Sequence, residues 1–303
     1  MALQFVPDAI ARLLKKVVDP IPKAHLQFVN IPGTTTEATV PTRHGDVACT
    51  LYWPAPSGSV RPAVYVNAHG GGYIIARPEQ DDPWCRFLAS RAGVVVVNVD
   101  YSVAPQARFP VPVEQVYDVL QWAATPEREW DGSRLCVGGQ SAGGAIAAGA
   151  ARLALDNSGP TLRLQVLNYP PLDLVTPAKD KRAGAKKVVI QPWMAKVFDR
   201  AYVPDPARRR HHLVSPAWGS NGERIAGIAP AIVVTPGLDR LHDEGAAYAH
   251  QLKAAGALVE HHDLPGVDHA YNLMGDSREI AEQVYEQLAA HVIRAVAPTV
   301  PTN

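Results

Sequence analysis

The chain has 303 residues, 47% hydrophobic and 19% charged, which excludes general disorder and allows a buried core without disulfides or metal. Lys plus Arg and Asp plus Glu both total 29, so the formal net charge is zero, and no overall field draws the chain to nucleic acid or to an anionic membrane. Three cysteines, Cys49, Cys85 and Cys136, do not make a disulfide framework and fit a reducing, cytoplasmic location.

The first twenty residues place Phe5, Val6, Ala9, Ile10, Leu13, Leu14, Val17 and Val18 at helical spacing, and Pro20 and Pro22 end the run. This predicts an amphipathic helix packed on the domain. Asp8 interrupts the start, and no basic stretch leads into an apolar one, so no secretory signal is expected. No window reaches the roughly 18 apolar residues of a spanning helix. Strands are predicted at His25–Ile31, Val47–Trp53, Ala63–Asn67, Val94–Val99, Leu135–Gly138, Leu162–Leu167 and Ala231–Thr235, with a more polar edge strand at Leu258–Asp263. Helices are predicted at Pro83–Ala92, Val113–Ala124, Ser141–Leu155, Asp243–Ala255 and Arg278–Val296. The alternation predicts an α/β fold with a mainly parallel sheet and helices on both faces. Between Tyr169 and Ala231 the rhythm breaks. Lys179, Lys181, Arg182, Lys186 and Lys187 precede a helix-like Trp193–Tyr202, and Arg208–Arg210 follow. The stretch is too long for an ordinary connection and reads as an inserted cap.

Gly139-Gln140-Ser141-Ala142-Gly143 follows a buried strand and opens a helix of small residues. A serine there projects its Oγ from a very tight turn, and the flanking glycines leave room for that turn. The helix start aims N–H groups and its dipole at the same place. The P-loop lysine is missing, which removes the phosphate-loop reading. His69-Gly70-Gly71-Gly72 follows another buried strand. Gly71 and Gly72 N–H groups, with that of Ala142, are candidate donors to an oxyanion.

These two motifs, with Asp100-Tyr101-Ser102-Val103-Ala104-Pro105, resemble the hormone-sensitive-lipase-like family of α/β-hydrolases from about Val47 to His291. The resemblance implies the α/β-hydrolase fold, with a catalytic domain over 46–170 and 226–303. It implies a cap built from 1–45 and 171–225. It implies carboxylesterase activity on short- to medium-chain esters without a cofactor, and two copies paired along the final strand. Three positions depart from the family pattern: Gln140 stands for the usual Asp or Thr, Gly237 for a frequent glutamate, and Ala270 for a glycine.

The chain order nucleophile, acid, base then selects the partners. His269 follows the Pro265-Gly266 turn in a loop before the last helix. His261 and His262 lie in a strand on opposite faces, and His250 and His291 lie on helices. Asp239 follows the strand Ala231–Thr235 and is the expected acid. Asp243 and Glu244 begin a helix, where acids commonly cap or meet the dipole. Ser141, Asp239 and His269 are therefore the expected catalytic residues. His69 and Asp100 are expected to support the glycine loop. Tyr73, Trp193, Phe198 and Trp218 are open as pocket walls or core. No zinc motif occurs, and neither His211-His212 nor His261-His262 makes a metal site alone. An amidase or deacetylase with the same triad, and a non-catalytic binding protein on this fold, remain the alternatives. Residues 179–212 carry ten Lys/Arg against three Asp, and residues 239–289 carry three against ten Asp/Glu. This segregation predicts contact between the basic cap and the acidic C-terminal region.

Overall fold

The structure, a computed structural model, describes residues 31, 33–56, 61–274 and 277–298. The predicted N-terminal helix lies outside the described residues, as does the predicted strand His25–Ile31 apart from its last residue.

Among the described residues, eight strands form one sheet: β1 (Thr34–Val40), β2 (Val47–Trp53), β3 (Ala63–Ala68), β4 (Val94–Val99), β5 (Leu135–Gln140), β6 (Leu162–Asn168), β7 (Ala231–Pro236) and β8 (Leu258–Leu264). Their order is β1-β2-β4-β3-β5-β6-β7-β8. β2 runs antiparallel to β1 and β4, and the remaining pairs are parallel. The helices are α1 (Asp82–Ala92), α2 (Val111–Ala123), α3 (Ala142–Asp156), α4 (Pro192–Tyr202), α5 (His242–Ala254) and α6 (Arg278–Ala295).

Strands β3, β4, β5 and β7 are buried along their whole length, because helices cover both faces. Val64, Val66, Val95 and Val97 point to one face, where Val116 and Leu120 of α2, Ile146 of α3 and Leu252 of α5 pack. Tyr65, Val94 and Val96 point to the other, against Trp84 and Leu88 of α1 and Leu288 and Val292 of α6. Alternation along each strand therefore feeds two separate cores.

β1 has no counterpart among the predicted strands. Its sequence TTTEATV is mostly exposed, so no apolar alternation marks it. The ladder to β2, from Thr34 opposite Trp53 to Val40 opposite Val47, holds it in place. β8 is the opposite edge, as its polar sequence predicts. Between β6 and β7 the chain leaves the sheet and makes α4 and one short 3-10 turn, Arg208–Arg210. Among the described residues no helix is long and apolar enough to cross a membrane.

Candidate active site

Ser141 joins β5 to α3 with φ 53 and ψ −127, a region that costs a non-glycine residue energy and persists only where its surroundings enforce it. Two hydrogen bonds enforce it. The Ser141 N–H donates to the Asn168 carbonyl at 2.9 Å, and the Ser141 carbonyl accepts from the Ala145 N–H at 3.2 Å. At Gly143 a side chain would run into the carbonyl oxygens of Ala68 and His69. The turn thus rests directly on the end of β3, where the glycine loop begins. That loop passes beside the serine, since a Cβ on Gly70 would lie 3.5 Å from the Ser141 Cβ.

His269 Nε2 lies 2.9 Å from Ser141 Oγ, and His269 Nδ1 lies 2.6 Å from Asp239 Oδ2. The ionised carboxylate can only accept, which assigns the proton to Nδ1 and leaves the Nε2 lone pair for the serine hydroxyl. Asp239 and His269 are both buried. Asp239 Oδ1 also accepts from the Leu241 N–H at 3.1 Å, so the carboxylate is fixed at both oxygens. Two backbone bonds join the acid loop to the segment leading to the histidine: Gly237 N–H to Leu264 O and Leu238 N–H to Val267 O, both 2.8 Å. The His269 ring packs edge-on against Tyr169, centroids 4.7 Å apart.

The competing acids are engaged elsewhere. Asp243 is exposed and pairs with Arg182 at 2.8 Å, and the Arg182 hydrogen bond pulls its carboxyl down to about 2. Glu244 is buried and accepts from the Leu172 N–H at 2.8 Å and from the Lys181 ammonium. No side chain caps the start of α5. Both acids instead hold the segment that precedes α4, a role that local helix rules do not anticipate.

Gly71 (φ 126) and Gly72 (φ 58) carry the glycine loop through left-handed backbone. Burial pushes the His69 imidazole down to about 4, so it is neutral and bonds the Gly70 carbonyl through Nδ1 at 2.7 Å. Tyr101 stacks on that ring, centroids 4.3 Å apart, and its hydroxyl donates to the His69 carbonyl at 2.6 Å. The Ala104 N–H donates to the Tyr73 carbonyl at 2.8 Å. Tyr101 and Ala104 thus join the Asp100–Pro105 stretch to the loop. Asp100 itself is exposed, and its N–H donates to Ala48 of β2.

Of the four aromatic candidates, two adjoin the loop. The Phe198 ring of α4 lies so close over Gly72 that a Cβ there would sit 2.8 Å from it. Tyr73 stacks on Tyr202, centroids 4.0 Å apart. Trp193 is exposed, and Trp218 lies beneath the Arg210 guanidinium.

One group of residues escaped the sequence reading. Behind the serine turn, the Gln140 amide donates to Asp81 Oδ1, and its carbonyl oxygen meets the Tyr169 hydroxyl at 2.7 Å and the Asn272 amide at 2.6 Å. Asn67 donates to Asp81 Oδ2 at 2.9 Å. Burial raises the Asp81 carboxyl to about 7, and the amide donors offset this only in part. The network ties the residue before Ser141 to Tyr169, which packs on His269, and to Asn272, three residues after it. The departure at Gln140 was the only mark it left in the sequence.

Residues 65–273 match the sequence profile of a family described by the α/β-hydrolase fold. The chain is 34% identical to the carboxylesterase NlhH of Mycobacterium tuberculosis over 230 residues, 75% of this chain and 71% of that protein. It is 32% identical to the ethyl acetate hydrolase of Pseudomonas putida over 274 residues, 86% of this chain and 84% of that protein. The hyperthermophilic esterase of the archaeon Pyrobaculum calidifontis superposes with a TM-score of 0.77 at 30% identity, covering 98% of this chain and 91% of that one. The matched residues 65–273 span the glycine loop and the serine turn, and the chain belongs to the hormone-sensitive-lipase-like carboxylesterases of the α/β-hydrolase fold.

Proposed function

We propose that the chain hydrolyses carboxylic esters with short- to medium-length acyl groups through an acyl-enzyme on Ser141. One observation carries the reading: hydrogen bonds run without a break from Ser141 Oγ through both nitrogens of His269 to buried Asp239. A serine hydroxyl is protonated at neutral pH and attacks only if a base takes its proton. His269 Nε2 takes it as Oγ bonds to the ester carbonyl carbon, and Asp239 holds the ring and stabilises the imidazolium. Charge moves to the carbonyl oxygen, where the N–H groups of Gly71, Gly72 and Ala142 receive it. Each such donor contributes about 3 kcal/mol in the transition state. His69 and Tyr101 keep the loop in position. His269 then protonates the leaving alcohol. Water repeats the cycle on the acyl-enzyme and releases the acid and free serine, so these steps use no cofactor.

Residues 46–170 and 226–303, with β1 added at the sheet edge, serve as the catalytic body in this reading, and 171–225 as its cap. The position of Phe198 over Gly72 supports a cap that limits the acyl group. The ethyl acetate hydrolase among the relatives supports short acyl chains. The three thiols are buried and unpaired, the state a reducing cytoplasm maintains.

The test is a panel of p-nitrophenyl esters of rising acyl length beside a p-nitroanilide control, with labelling by an organophosphate serine probe. Short esters should turn over fastest, and Ser141→Ala should lose both turnover and label. Labelling unchanged in Ser141→Ala would move the nucleophile elsewhere. Faster turnover of the anilide would replace the esterase by an amidase.

A further inference from the structure

On the edge strand β8, Glu260 and His262 point to the same face, because they lie two residues apart. They are paired with Ile232 and Val234 of β7, whose side chains belong to the core beneath α6. His291 of α6 meets them there. Its Nε2 lies 2.6 Å from Glu260 Oε2. His262 Nε2 lies 3.5 Å from Glu260 Oε1. It is buried and has no hydrogen-bond partner. The two rings stand nearly perpendicular, centroids 5.9 Å apart. The three ligand-capable atoms all lie within 4.8 Å of one another.

A carboxylate between two imidazoles explains the His291 contact but not the buried, unpartnered nitrogen of His262. Leaving such a nitrogen unsatisfied is costly. A divalent ion would satisfy it. A neutral imidazole offers a ring-nitrogen lone pair to such an ion. Two imidazoles and one carboxylate suit a first-row ion, zinc above all, and do not suit calcium or magnesium, which take oxygen ligands. Bonds of about 2.0–2.1 Å in a tetrahedral site bring ligand atoms to roughly 3.3 Å apart. Glu260 supplies the needed movement and the route of entry, since its side chain is 44% exposed. Sequence spacing hides the set, because the third ligand comes from a separate helix.

We propose that Glu260, His262 and His291 form a zinc(II) site with water in its fourth position, which pins the C-terminal helix α6 to the edge strand. β8 lies three strands from β5 and its serine turn, about 14 Å across the sheet, so the site is separate from the catalytic one. The experiment uses the full chain, stripped with a chelator and titrated with zinc chloride by calorimetry and by competition with a chromophoric chelator. One equivalent should bind. His262→Ala and His291→Gln should each abolish it, and Glu260→Gln should weaken it by at least about tenfold. His269→Gln should bind like the wild type, which separates the site from the catalytic histidine. Zinc should raise the melting temperature of the wild type and of His269→Gln, and leave that of His291→Gln unchanged. Circular dichroism establishes that each variant is folded. No stoichiometric uptake by the wild type would overturn the proposal. So would uptake that persists in folded His262→Ala and His291→Gln.

Discussion

Two aspartates four positions apart are both within the chain order the triad needs, and their surroundings separate them. Asp239 is buried with both oxygens bonded, one to His269 and one to the Leu241 N–H. Asp243 is exposed, and its charge is shared with Arg182 and His242. A carboxylate that stabilises an imidazolium must be dry and fixed, because water and salt weaken the interaction otherwise. Asp239→Asn keeps the shape but offers an amide where a charge is needed and favours the wrong imidazole tautomer. It should lower kcat by on the order of 10⁴-fold. Asp243→Asn should leave kcat near the wild-type value. Steady-state kinetics on p-nitrophenyl acetate decides, and the opposite ranking would transfer the role to Asp243.

The serine turn belongs to several elements at once. Gln140 ends β5, Tyr169 follows β6, Asn272 lies beyond His269, and Asp81 precedes α1. Their network makes stability depend on pH. The Asp81 carboxyl has a value of 3.8 when free and about 7 in the folded protein. Between these values the folded chain holds a proton that the unfolded chain has lost. The Asp81 contribution to stability is therefore full below about pH 4 and is lost as pH rises through 7. Burial raises Glu244 to about 7 and Asp199 to about 6 in the same direction. The urea midpoint should fall from pH 5 to pH 8. Asp81→Asn has no proton to lose and should flatten that fall, leaving the share of Glu244 and Asp199. An unchanged slope would mean that Asp81 does not carry the proton. None of this was legible locally. β3 and β4 are legible because six consecutive buried residues leave an apolar run. Ser141 is legible because its turn demands glycines beside it, and His269 and Asp239 because chain order narrows the choice. β1 is held by a ladder that needs no apolar side chain, and Asp81 meets Gln140 only through the folded sheet, so neither leaves a pattern.

At the scale of the molecule, zero net charge conceals a contact between unlike halves. Arg240, next to the candidate acid, donates to the carbonyls of Ala178, Lys181 and Ile190 at 2.9–3.0 Å. Asp268, next to His269, accepts from the Val189 N–H at 2.7 Å. Lys181 meets Glu244 in the interior, and Arg182 meets Asp243 at the surface. The basic residues 208–210 take no part in this: Arg208 lies over Phe109, Arg209 donates to the Val203 carbonyl, and Arg210 lies over Trp218. The segregated charges meet at Lys181 and Arg182, within residues 178–190. The two ion pairs should answer differently to salt. At 1 M salt the screening length is about 3 Å, which removes the exposed pair and leaves the buried one. The exposed pair contributes at most about 1 kcal/mol. Above pH 7, where the buried Glu244 carboxyl is ionised, Lys181→Met strands it and should cost about 3–5 kcal/mol. Raising NaCl from low concentration to 1 M should remove at most about 1 kcal/mol of unfolding free energy through the Arg182–Asp243 pair, and Arg182→Gln should lessen the wild-type decrease by that amount. Urea unfolding at both ionic strengths measures it. A wild-type loss as large as that of Lys181→Met would mean that the Lys181–Glu244 pair is open to water, and that the segment before α4 is held by screened charge.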